Sequence, residues 1–287
     1  MSLIQKTCLQ MTDPVFFRRI WRRMLRWFRS YDDRGSSNEL DHFASVKNVL
    51  VVVAHPDDEI FCSGLLLELK ERGCRITVLC VTRGEGGPCG SHPRESLGTV
   101  RSGEMADSCK ILGVDELIFL GHVDPLGGIV KAYAPDVTTE DLAAQIQAHL
   151  DGVDLVVSHG SSGEYWHPAH LLVFEAVRTS LESSAQAGPV WMTFLARQVD
   201  HPLPRLVNWD DPAFLTVRNP KHQEARLRAL ACHESQLELF GQFAGGDYRD
   251  FVRLTSREAY ALQKKGRLEI PEPADKGEGE GDHRPHR

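Results

Sequence analysis

The sequence predicts an α/β fold of three layers: a doubly wound, mostly parallel sheet of Rossmann-like type with helices on both faces. Three observations carry that expectation. Short apolar runs of buried-strand length alternate with stretches of helical periodicity through most of the 287 residues. The residues able to do chemistry come directly after those runs, at strand carboxyl ends, where open α/β sheets bind ligands. Hydrophobic content of 41%, 25% charged residues and a formal charge of −7 describe a globular chain able to bury a deep core.

Residues 1–38 read as an appendage. Phe17, Ile20, Trp21, Met24 and Phe28 recur at helical spacing, and Arg18, Arg19, Arg22, Arg23, Arg26 and Arg29 fill most positions between them. Such a basic amphipathic helix has two readings: peripheral docking of residues 16–29 on an anionic membrane surface, or packing on its own domain. The polar stretch Ser30 to Asn38 then leads into a single body at 39–270.

The body opens with Val46 to Ala54, a run typical of a buried parallel strand. A helix is expected from about Asp58 to Arg72, a strand at Arg75 to Thr82, a helix around Arg101 to Leu112 and a strand at Glu116 to Leu120. The rhythm repeats with helix Thr139 to Leu150, strand Asp154 to Ser158, helix Pro168 to Leu181 and strand Val190 to Ala196. A further helix is expected through Ala225 to Leu239, and residues 271–287, rich in Glu, Gly, Pro and Lys, are too polar to bury and read as a disordered tail.

Several functions are excluded at this level. No run of about 18 apolar residues could span a bilayer. The seven cysteines are scattered without a C-x-x-C, so neither a disulfide framework nor a thiolate zinc knot is indicated, and a reducing cytoplasm fits best, with the inner membrane face as the place of any peripheral contact. The N-terminus lacks the pattern of a signal peptide. Residues 1–30 carry Lys6 and six arginines against Asp13 alone, which leaves the body acidic and argues against nucleic acid as a partner. The turn after the first strand has no G-x-G-x-x-G, which disfavours a nicotinamide cofactor. Nothing in the sequence fixes an oligomeric state.

Two clusters remain. His55-Pro56-Asp57-Asp58-Glu59 puts an imidazole and three carboxylates where a strand hands over to a helix, and like charges crowd so closely only around a cation. Capping by Asp57 or Asp58 and first-turn support from Glu59 explain an acid, but not the preceding histidine. The second cluster follows the strand ending at Ser158: Pro168 suits a first helical position, and His167 and His170, three apart, can face one crevice. Two histidines, one carboxylate and an open position make the donor set of a catalytic zinc. A neighbouring carboxylate can then act as base and a cationic imidazole can steady an oxyanion, which is amide or ester hydrolysis.

At these residues the chain resembles the PIG-L/LmbE-like family of zinc-dependent N-deacetylases, whose A-H-P-D-D-E hallmark stands unchanged at Ala54 to Glu59. The similarity runs from Lys47 to about Gln236 and includes Arg101 and Glu104 at a helix start and a late His233-x-Ser235-Gln236. The resemblance implies an LmbE-like fold with one Zn2+ per chain, held by His55, Asp58 and His170. It also implies Asp57 as general base, His167 as the group that polarises the carbonyl, and Arg101 and Tyr165 as substrate contacts. One position departs: Ala169 stands where the family usually has an Asp that tunes the neighbouring imidazole.

The implied reaction releases acetate and an amino sugar from an N-acetylglucosamine-type conjugate, a small-molecule substrate whose aglycone the sequence does not specify. Trp166, Trp209 and Tyr133 are candidates for stacking on a sugar ring. Two other readings stand beside this one: a non-catalytic sugar-binding module on the same fold, supported by Ala169, and a deacetylase recruited through the basic arm to a lipid-linked sugar.

Overall fold

The computed structural model describes residues 40–126, 133–182, 188–196, 211–218 and 220–267. The expected helix at 16–29, the linker at 30–38, Trp209 and the tail at 271–287 lie outside the described residues.

The elements follow in order β1 (Asn48–Val53), α1 (Ser63–Glu71), β2 (Arg75–Thr82), α2 (Leu97–Leu112), β3 (Glu116–His122), α3 (Thr139–Gln147), β4 (Leu155–Ser158), α4 (Pro168–Glu182) and β5 (Val190–Leu195). They continue with β6 (Leu215–Arg218), α5 (Gln223–Ala231), α6 (Leu237–Ala244), α7 (Arg249–Leu254) and β7 (Arg257–Lys264). The strands form one sheet in the order β3-β2-β1-β4-β5-β7-β6. β1 pairs in parallel with both β2 and β4, and β4 with β5, while β7 runs antiparallel between β5 and β6. The three-layer, mostly parallel α/β fold is therefore present.

The pleat explains why β1 reads as a continuous apolar run. Val49, Val51 and Val53 pack with α1, α2, α5, α6 and α7 on one face; Leu50, Val52 and Ala54 pack with α3 and α4 on the other. Both faces are buried, and each side chain of Val or Leu size so placed is worth about 1.5–3 kcal/mol. Gly113 ends α2 at φ 73°, a left-handed cap that glycine reaches without strain.

Two expectations change. The helix expected through 225–239 is two helices, parted at His233 (φ −82°, ψ 55°), whose ring is drawn inward to Glu59. The strands β6 and β7 were not expected, because β7, Arg-Glu-Ala-Tyr-Ala-Leu-Gln-Lys, is poor in β-branched residues; pairing on both sides overrides its weak strand propensity.

β7 also reaches across the molecule. The buried Glu258 carboxylate accepts from the amides of Gly64 (2.7 Å) and Leu65 (2.9 Å) at the start of α1, and from the Tyr260 hydroxyl (2.7 Å). Arg226 of α5 pairs with it at 3.0 Å. Helix α1 has no side-chain cap from its own N-cap residue, so this distant carboxylate serves its first turn. Among the described residues, no helix is long and apolar enough to cross a membrane.

Candidate metal centre

β1 and β4 lie side by side where the winding of the sheet reverses, and their carboxyl ends carry both clusters. His55 to Glu59 follow β1, His159 to His170 follow β4, Asp124 follows β3, and Arg101 enters from α2. His55, Asp58, Glu59, His159, Glu164, His170, Asp124 and Arg101 are all buried to below a tenth exposure, deep enough for electrostatic contacts to be strong.

Three groups face one another at the centre. His170 Nε2 lies 3.3 Å from His55 Nδ1 and 3.3 Å from Asp58 Oδ1, and His55 Nδ1 lies 3.4 Å from Asp58 Oδ2. The possible donor sets overlap: ligand atoms of His55, His167 and His170 lie within 4.8 Å of one another, as do those of Asp58, His159 and His170.

The remaining hydrogen bonds sort these nitrogens. His170 Nδ1 meets Glu164 Oε2 at 2.5 Å; a carboxylate accepts, so Nδ1 carries the hydrogen and the Nε2 lone pair faces inward. In the same way Asp124 Oδ1, 3.4 Å from His55 Nε2, leaves the Nδ1 lone pair of His55 inward. His159 is fully engaged: Nδ1 donates to Glu164 at 2.8 Å, while Nε2 meets both the Ala54 amide at 3.0 Å and Asp58 Oδ2 at 3.3 Å. His167 Nδ1 accepts the Ala169 amide at 3.3 Å, which puts its hydrogen on Nε2 and makes it a donor.

His55 Nδ1 and His170 Nε2 thus face each other beside Asp58, an arrangement that suits a cation between them. Burial opposes charge on His55, but Asp124 and Asp58 hold its pKa up at about 10. Asp58, despite burial, is held well below the usual carboxylate range by His170 and His159. Two imidazoles, one carboxylate and an open side fit a catalytic zinc.

The surrounding groups are held as firmly. Asp57 takes φ 106°, and the three non-glycine residues with positive φ among the described residues, Asp57, Glu164 and Trp166, all lie in these two loops. The Asp57 amide donates to Glu59 Oε2 (3.0 Å) and its Oδ2 accepts from Arg101 (2.9 Å). Burial raises Asp57 to about 6, with Arg101 pulling it down. Glu59 is not a solvated helix-start acid: its Oε1 accepts from Ser108 and from His233, both at 2.6 Å, in full burial. The Arg101–Glu104 and His233–Gln236 segments meet here, through Ser235 donating to Glu104 (2.7 Å).

Arg101 lines the pocket over the centre with Asp57, Tyr165, His167 and Gln236, but its guanidinium also donates to Gly84 O (2.8 Å) and Pro56 O. The Tyr165 ring stands 5.6 Å from that of His167 and 5.4 Å from that of His170. Tyr133 is 42% exposed at the rim, and Trp166 is not among the lining residues. Ala169 is 1% exposed in the apolar layer with α3 and α4, an unsuitable seat for a carboxylate. Burial, with the rings of His170 and His55 beside it, pushes His167 well below its ordinary value, and its Nδ1 accepts the Ala169 amide.

Three functional neighbours were not expected from the sequence: His159, Glu164 and Asp124. The strand-end rule alone reaches His159 and Asp124; Glu164, in a Gly/Ser loop, has no periodic or motif signal. A third acid and imidazole group, Glu68, Glu71 and His222, lies away from this centre, and the Lys221 ammonium already pairs there with Glu71.

Fold and site together define an α/β protein with a candidate metal centre at the switch point of its sheet. The chain belongs to the PIG-L family of deacetylases. The family profile, described as GlcNAc-PI de-N-acetylase, matches residues 50–181. A 1D-myo-inositol 2-acetamido-2-deoxy-alpha-D-glucopyranoside deacetylase from Corynebacterium diphtheriae is 30% identical over 226 residues, covering 66% of this chain and 76% of the relative. An N-acetylglucosaminyl-phosphatidylinositol de-N-acetylase from Bos taurus is 28% identical over 203 residues, covering 67% and 75%. An N,N'-diacetylchitobiose deacetylase structure from Pyrococcus horikoshii shares the fold with a TM-score of 0.54 at 17% identity, covering 86% of this chain and 93% of that one.

Proposed function

We propose that this protein is a zinc-dependent hydrolase that removes the acetyl group from an N-acetylglucosamine-type conjugate, releasing acetate and an amino sugar. The observation that carries the reading is the pair of ring nitrogens His55 Nδ1 and His170 Nε2, 3.3 Å apart, with Asp58 Oδ1 3.3 Å from the latter. These three residues hold the zinc. When bound, it supplies Lewis acidity and brings the pKa of a water to about 7.

Asp57 takes the proton from the attacking water and later delivers it to the departing amine, so one carboxylate serves as base and then acid. A buried carboxyl at about 6 suits both duties near neutral pH. His167 donates its Nε2 hydrogen to the carbonyl oxygen as negative charge develops there. Arg101 holds Asp57 and borders the sugar, and Tyr165 closes over the reaction centre. The substrate is a small sugar conjugate, and the likeness to deacetylases that act on inositol-linked and phosphatidylinositol-linked sugars supports that class.

The test is acetate release from a panel of N-acetylglucosamine conjugates by the full chain, after chelation and again after zinc is restored. Release that depends on zinc supports the reading. Binding of the conjugates with no release under either condition would establish the sugar-binding module instead.

A further inference from the structure

The buried Glu164 carboxylate belongs to no motif, yet it joins both halves of the centre. Its Oε2 accepts from His170 Nδ1 (2.5 Å) and His159 Nδ1 (2.8 Å), and its Oε1 accepts from the Gly160 amide (2.9 Å). His159 passes the connection on: its Nε2 accepts the amide of Ala54, the residue before His55, and its ring stacks on His170 with centroids 3.9 Å apart. A three-link chain of hydrogen bonds thus runs from the end of β1 to the first turn of α4.

The backbone is strained to allow this. Glu164 stands at φ 59°, ψ −50°, a conformation that favours glycine, while its side chain is 1% exposed. Strain at a non-glycine residue persists where the surroundings hold it in place, and here what holds it is the pair of imidazoles.

We propose that Glu164 is the positioning residue of the metal centre: one oxygen fixes the Nδ1–H tautomer of His170 and His159 together and aims the Nε2 lone pair of His170 at its cation. It rests on the zinc reading above. A carboxylate behind a ligating imidazole sets ring orientation and raises basicity, and its loss typically lowers metal affinity about 10–100-fold. In this chain the carboxylate comes from the loop before α4, and position 169, where an acid was expected, is an alanine in an apolar layer.

Two variants of the full chain separate positioning from scaffolding. Glu164→Gln keeps the shape and removes the charge; Glu164→Gly removes the side chain and relieves the positive φ. Zinc affinity is measured by competition with a chelator, the visible spectrum is recorded after cobalt substitution, and the melting temperature is taken without metal. The expected result is zinc affinity about 10–100-fold weaker in both variants. Altered cobalt bands are expected with it, and a metal-free melting temperature in Glu164→Gly close to that of the original chain. Affinity within twofold and unchanged bands overturn the proposal. So does a fall in affinity matched by an equally large loss of metal-free stability, or failure of both variants to fold, since each makes Glu164 a scaffold residue. If the original chain itself binds no zinc, it is the zinc reading that fails.

Discussion

Arg101 Nη2 and Asp57 Oδ2 meet at 2.9 Å with both side chains shielded, 4% and 12% exposed. The guanidinium is the largest influence drawing the Asp57 pKa down against burial. Replacing it with the neutral Arg101→Met takes that influence away, so Asp57 binds its proton at higher pH. A base must be unprotonated to act, so the acidic limb of the kcat/KM profile is expected to move to higher pH while zinc content stays at one per chain. A pH–rate profile with an unmoved acidic limb rules out this control of the base by Arg101.

Asp57→Asn keeps the shape of the side chain and removes the base. Zinc content is expected to persist, because Asp58 and not Asp57 faces His170. Turnover is expected to fall about 10²–10⁴-fold. Metal analysis beside steady-state acetate release checks both halves; loss of zinc would move Asp57 into the ligand set.

His167 can be told apart from a ligand by the same pair of measurements. Its Nδ1 accepts the Ala169 amide, leaving Nε2 to donate. His167→Ala is expected to hold zinc with unchanged stoichiometry and to lose about 10²–10³ in kcat, the usual cost of one oxyanion donor. A variant that loses zinc identifies the alternative set of His55, His167 and His170.

Glu258→Ala takes the acceptor from the Gly64 and Leu65 amides and leaves the buried Arg226 without its carboxylate partner, with only Ser63 Oγ and Thr255 O still accepting from it. Breaking a buried pair from one side costs about 3–5 kcal/mol. Urea unfolding of the metal-free protein is expected to shift to a correspondingly lower midpoint, and an unchanged midpoint would make the cap dispensable.

The parallel half of the fold was legible because burial on both sheet faces writes itself as unbroken apolar runs: β2 stands at the expected Arg75–Thr82, and α4 differs by one residue. The central groups were legible because His55, Asp58, His167 and His170 sit directly at strand ends or on one helix turn. What stayed hidden depends on distant partners. β7 is a strand because β5 and β6 flank it, and the break at His233 exists because a buried glutamate 174 residues earlier in the chain attracts its ring. Glu164 became visible only once its backbone and its two imidazoles were in place.

The cap on α1 gives the chain a direction in time. The helix behind the His55 cluster receives its terminal acceptor from Glu258, 194 residues after Gly64. A ribosome will therefore have made nearly the whole body before that turn can settle, so the growing chain carries its acidic cluster long before it has a finished catalytic pocket. A chain cut short before β7 is expected to keep the hallmark residues without the carboxylate that caps the helix behind them.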